Sequence, residues 1–250
     1  MQVTDHAPGT FCWAELQTSD SSSAKAFYGA LLGWSYSDTP IGPNTVYSTA
    51  NVGGHIVGAL YSDPSGKRPT AWSTYIRVKS ADDFAASARS NGAMVIAGPF
   101  DVTTVGRMAV IQDPTGAIFH VWEPRANPGY NLVGEPGSVC WNELNTRDTS
   151  AAETFYTAVF GYGIKHSDMS GPYTEFQVNG KSIAGMTAIE TGSPNAPHWQ
   201  VIFTVANCEL AVDVAKELGG RLLLGPTAVP GVGNYAMLAD PQGAIFGVVD

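Results

Sequence analysis

The chain has 250 residues, 44% of them hydrophobic and 14% charged, with a formal net charge of −9. That is apolar material enough for two cores, while the acidic balance argues against nucleic acid or an anionic membrane as partner, since both demand a basic face. The sequence shows no long unbroken apolar run and no basic-then-apolar N-terminus, so neither a membrane span nor a secretory signal is expected and a cytoplasmic location is the default.

Residues 11–18 alternate and are rich in aromatic and Thr side chains, which predicts a half-buried strand. Thr18-Ser19-Asp20 then offers N-caps for a helix running to about Leu32 and closed by Gly33. Along it Ala24, Phe27, Tyr28, Leu31 and Leu32 fall on one apolar face. Short strands are expected around 45–51 and 54–61, joined at Gly53-Gly54. The pattern then restarts, with a strand from Trp72 to Val78, a helix from Ala81 to Ser90 and a stop at Asn91-Gly92. Strands near 94–97 and 107–112 precede the tight turn Asp113-Pro114-Thr115-Gly116, which leads into a strand at 117–122.

All of this is then written a second time. Cys12-Trp13-Ala14-Glu15-Leu16 returns as Cys140-Trp141-Asn142-Glu143-Leu144, and Phe27-Tyr28 returns as Phe155-Tyr156. Asp113-Pro114-Thr115-Gly116-Ala117 returns as Asp240-Pro241-Gln242-Gly243-Ala244. A period this long means duplicated globular domains, because solenoid repeats are far shorter. We read residues 8–124 and 137–250 as the two domains and 125–136 as the linker, in a Pro- and Gly-rich stretch. Cys12 and Cys140 occupy equivalent places and Cys208 has no counterpart, so free thiols are expected rather than a disulfide framework.

The order and spacing of these landmarks resemble the vicinal oxygen chelate superfamily, which includes glyoxalase I, extradiol dioxygenases and bleomycin-resistance proteins. The Cys-Trp-x-Glu-Leu strand is most similar to two-domain actinobacterial members. The resemblance implies an α+β fold of two tandem glyoxalase-like domains, each built of two βαβββ modules forming an open eight-stranded cup. In the metal-dependent members, ligands project into the cup from the first and last strands of each module. The corresponding positions here hold Trp13 and Trp141, Ser73 and Gln200, Gly58 and Gly185, and His120 and Gly247. A catalytic divalent site needs about three protein ligands. The departure from that ligand pattern argues against a family-type metal site, and no cofactor is expected, a divalent metal being the alternative.

Trp13 and Glu15 share a strand face, as do Trp141 and Glu143. If that face lines the cup, an indole suits a planar or apolar ligand, and a carboxyl in an apolar cup gains a raised pKa fit for proton transfer. Core packing is the competing reading for both pairs. His120, present in only one copy, is the second catalytic candidate, expected to face Glu15 across the cup as proton shuttle or polar anchor. Tyr47, His55, Trp122 and Gln200 complete the candidate ligand contacts with Trp13, Trp141 and Glu143. No phosphate cradle, nucleophile elbow or dinucleotide fingerprint is present. The leading reading is a metal-independent protein, monomer or homodimer, that binds a small metabolite in the cup, with or without transforming it. A metal enzyme of glyoxalase or dioxygenase type, using a rearranged set such as Glu15 with His120, and a drug-sequestering protein without catalysis are the alternatives.

Overall fold

A computed structural model of the chain describes residues 1–43, 45–63, 69–168 and 171–250. The first domain runs β1 (Phe11–Thr18), α1 (Ser21–Leu32), β2 (Ser35–Gly42), β3 (Thr45–Val52) and β4 (His55–Ser62). Its second module is β5 (Ala71–Arg77), α2 (Ala81–Ser90), β6 (Met94–Val102), β7 (Gly106–Gln112) and β8 (Ile118–Pro124). The second domain repeats this as β9 (Val139–Thr146), α3 (Thr149–Phe160), β10 (Gly163–Asp168), β11 (Pro172–Val178) and β12 (Lys181–Ala188). It closes with β13 (His198–Thr204), α4 (Cys208–Glu217), β14 (Arg221–Val229), β15 (Gly233–Ala239) and β16 (Ile245–Val249).

Each domain is one eight-stranded open sheet, ordered β2-β3-β4-β1-β5-β8-β7-β6 and, identically, β10-β11-β12-β9-β13-β16-β15-β14. The two modules of a domain join where their opening strands pair antiparallel, β1 on β5 and β9 on β13. The helix ends follow the sequence signals. Asp20 caps α1 by accepting from the Ser23 amide, and Gly33 closes it in the left-handed region at φ 71°. β2 lies between α1 and the strands expected from the sequence. Its burial pattern is almost wholly exposed, so it lacks the alternation that marks a half-buried strand.

The two domains share their cores. One apolar cluster joins Phe27, Tyr28 and Trp72 of the first domain to Phe203, Val212 and Phe246 of the second. The other joins Phe84 and Phe119 to Phe155, Tyr156 and Trp199. Two reciprocal polar chains cross the same interface. Trp72 Nε1 donates to the Tyr28 hydroxyl at 3.0 Å, which donates to Asp240 at 3.1 Å. Trp199 Nε1 donates to the Tyr156 hydroxyl at 2.8 Å, which donates to Asp113 at 2.9 Å. The other oxygen of Asp113 accepts from the amides of Thr115, Gly116 and Ala117. The Asp-Pro-x-Gly turn is therefore also an interdomain latch, and duplication supplies it twice.

Candidate functional site

The concave face of the first sheet walls a cavity of about 1340 Å³. Trp13 and Glu15 reach it from β1, Tyr47 from β3, Tyr75 from β5 and Trp122 from β8. Strand alternation explains the set, because residues two apart on a strand point to one face. Chain outside the sheet adds to the lining, Val3, Thr4 and His6 from the N-terminal segment and residues 126–131 from the segment after β8. These two segments bind each other, with the Val3 amide donating to the Asn131 carbonyl at 2.9 Å and His6 Nε2 lying 2.8 Å from the Tyr130 carbonyl. The Tyr130 amide donates to the Cys12 carbonyl and the Asn131 amide to the Ile56 carbonyl, which seats the segment between β1 and β4. Gly129, at φ 121°, lies so close to β1 that a Cβ would come within 2.3 Å of the Cys12 carbonyl oxygen. The stretch read from composition as linker thus also forms part of the cavity wall.

At the floor of the cavity Glu15 is held by two phenols. Tyr47 donates to one carboxyl oxygen at 2.7 Å and Tyr75 to the other at 2.9 Å. Trp13 Nε1 donates to the Tyr47 hydroxyl at 3.1 Å, completing a chain from indole to phenol to carboxyl. Burial pushes the Glu15 carboxyl above its ordinary value, against the opposing effect of these hydrogen bonds. Burial and then the Glu15 charge push both phenols well above theirs, so both stay protonated donors at neutral pH.

His120 and Tyr75 are register partners, as are Tyr75 and Trp13, so Tyr75 stands between β1 and β8 in the sheet. The His120 ring meets the Tyr75 ring edge-on at 4.5 Å, and it is Tyr75 that bonds Glu15. Trp122 lines the cavity, its Nε1 donating to the Asn127 carbonyl at 2.9 Å. His55 begins β4, with its Nε2 3.1 Å from Gln2 Nε2, and His55 and His120 are not among the cavity-lining residues. Tyr75 is the residue missed from sequence. Its signal was available, two positions after Ser73 on the same strand face, but its counterpart is Ile202 and the duplication did not mark it.

The second domain repeats the first half of this arrangement. Trp141 Nε1 donates to the Tyr173 hydroxyl at 2.9 Å, and Tyr173 donates to Glu143 at 3.0 Å. Gln200 is 1% exposed, and its Nε2 donates to the Tyr235 hydroxyl at 3.0 Å. Tyr235 packs over Gly247, where a Cβ would meet its ring at 2.9 Å. In the first domain the corresponding positions carry Met108 and His120. Burial also pushes Glu143 above its ordinary value. A raised folded-state pKa gives stability that is complete below the ordinary carboxyl range and lost as pH rises through the folded value. Glu143→Gln should therefore gain in melting temperature relative to the unaltered protein as pH is raised from about 4 towards neutrality; thermal scans across that range measure it.

The donors do not fit a divalent metal. Among the described residues no three His, Cys, Asp or Glu side chains cluster as ligands. Each Glu15 oxygen already accepts from a phenol, while Trp13 and Trp141 stand at the opening-strand positions. Burial favours the protonated form of both carboxyls, which makes each a weaker ligand for a divalent ion.

Residues 10–121 and 135–248 each match the Glyoxalase/Bleomycin resistance protein/Dioxygenase superfamily. The chain belongs to that superfamily. It is 37% identical to "Putative glyoxylase CFP32" of Mycobacterium tuberculosis over 98% of this chain and 96% of that protein. It is 34% identical to the anthracycline biosynthesis protein DnrV of Streptomyces peucetius over 99% of this chain and 95% of that one. Its fold is similar to that of the Mn(II)-bound glyoxalase from Novosphingobium aromaticivorans, with a TM-score of 0.66 at 16% identity, covering 96% of this chain and 81% of that one. Tandem domains with the same eight-strand order thus agree with the superfamily resemblance. Among the described residues no helix is long and apolar enough to cross a membrane.

Proposed function

We propose that this protein binds a small organic molecule in the cup of the first domain, with Glu15 as polar anchor and without a divalent metal. The observation that carries this reading is the aromatic-walled cavity of about 1340 Å³ with one carboxyl, held by two phenols, at its floor. Ligand sites of about 300–1,000 Å³ that are mostly apolar, with a few convergent polar groups, are the general pattern for small-molecule recognition. Where the ligand is transformed, Glu15 is the group placed to hold or move a proton, because burial raises its pKa. His120 would act on it through Tyr75. The relative named for anthracycline biosynthesis supports a metabolite of specialised metabolism as ligand. A soluble cytoplasmic protein, as monomer or homodimer, completes the proposal.

A thermal-shift screen of aromatic metabolites tests it, run with and without a chelator. The expected result is a stabilising ligand whose shift is the same in both. Stabilisation that appears only when a divalent ion is supplied would contradict metal independence, and no stabilising ligand at all would count against the binding reading.

A further inference from the structure

We infer that the first cup selects organic cations, a quaternary or protonated amine attached to a flat aromatic body, with the charge seated between Glu15 and the surrounding rings. The inference rests on the binding reading above and adds the charge of the ligand. Trp13 and Tyr47 are hydrogen-bonded to each other, and Tyr47 and Tyr75 both bond Glu15, so three ring systems converge on one carboxyl. Tyr61 extends the group, its ring stacked with Tyr47 at 6.3 Å, and Trp122 lies edge-on to Tyr75 at 6.3 Å. Aromatic faces attract cations through the ring quadrupole, most strongly when the site is desolvated.

The charges point the same way. The described lining residues include Glu15 and Asp101 but no Lys or Arg. Asp101, at the rim, is neutralised by Arg107 and Arg125, each at 2.9 Å. His6 in the wall is 7% exposed, and burial lowers its pKa, which keeps the ring neutral at neutral pH. Glu15 is thus the one uncompensated acid in the described lining. An ionised carboxylate has about four acceptor positions, of which the phenols fill two, so a ligand can still reach it. An anionic ligand would meet a like charge in a low-dielectric cavity with no cation to offset it.

Three probes on one bicyclic ring decide the matter: the naphthalen-2-ylmethyl trimethylammonium cation, neutral 2-naphthylmethanol and the 2-naphthylacetate anion. Their affinities are measured by calorimetry with the full chain at about pH 8, far above the ordinary carboxyl range, so that the ionised form is favoured at Glu15, whose pKa burial raises. The cation is expected to bind at least about tenfold more tightly than the alcohol, and the anion most weakly. Glu15→Gln should abolish the preference for the cation while retaining affinity for the alcohol. An anion as tight as the cation would overturn the inference, as would a cation preference undiminished in folded Glu15→Gln. If the alcohol binds and the cation binds no better, the inference fails and the cup reading stands. If none of the three binds, both fail. Should Glu15→Gln not fold, the order of the three affinities in about 0.5 M salt decides, because salt screens surface charge far more than a buried pair.

Discussion

Glu15→Ala should weaken binding of any ligand found in the screen by about tenfold to a hundredfold, whereas Glu143→Gln should leave the affinity unchanged. Removing a buried charged partner costs about 1.5–3 kcal/mol, which is the stated range when converted to an affinity ratio. The asymmetry follows from the two cups. Glu15 opens onto the cavity, whereas in the second domain Tyr235 occupies the space over Gly247 and Gln200 is buried against it. Because Ala also leaves Tyr47 and Tyr75 without their acceptor, Glu15→Gln should be titrated beside it to separate lost anchoring from a disturbed floor. Calorimetric titration of the three proteins with the same ligand checks the order. Equal losses in the Glu15 and Glu143 variants would mean that both cups bind.

The largest effect on stability is expected at Asp113, far from the cavity. Asp113→Ala removes the acceptor for three turn amides and for the Tyr156 hydroxyl, the bonds from Ala117 and Tyr156 buried and those from Thr115 and Gly116 half-buried. With about 1–3 kcal/mol for each buried group left unpaired, partly relieved by relaxation, a loss of about 3–5 kcal/mol is expected. For a chain of this size that lowers the melting temperature by roughly 6–20 °C. Tyr156→Phe, which keeps the turn but cuts the latch between domains and removes the acceptor of Trp199 Nε1, should cost about 1–3 kcal/mol. Asp20→Ala, which removes an exposed helix cap, should cost about 1 kcal/mol. Chemical denaturation of the three variants measures the ranking. An Asp113 variant no less stable than the Asp20 variant would contradict the latch.

These residues also show what was legible in the sequence. The caps at Asp20 and Gly33 and the Asp113 turn are local, set by residues within four positions, and the structure has them where the sequence signals fall. The second oxygen of Asp113 was not legible, because its partner lies 43 residues away on the other domain. The shared face of Trp13 and Glu15 follows from strand period alone, and both do line the cavity. That Tyr47 joins them, with Tyr75 rather than His120 bonding Glu15, depends on strand order and register, which periodicity within one strand does not contain. Residues 126–131 read as linker because Pro and Gly mark irregular backbone. Their place in the cavity wall comes from hydrogen bonds to β1 and β4 that composition does not encode.

The most direct test of the central claim is an experimental structure of the chelator-treated protein with a ligand from the screen. The account predicts one ligand in the first cup, its rings against Trp13, Tyr75 and Trp122 and a polar or charged group at the Glu15 carboxyl, with no metal ion between them. A ligand seated instead against Trp141 and Tyr235, or a metal ion coordinated by Glu15 in protein prepared without chelator and required for binding, would contradict it.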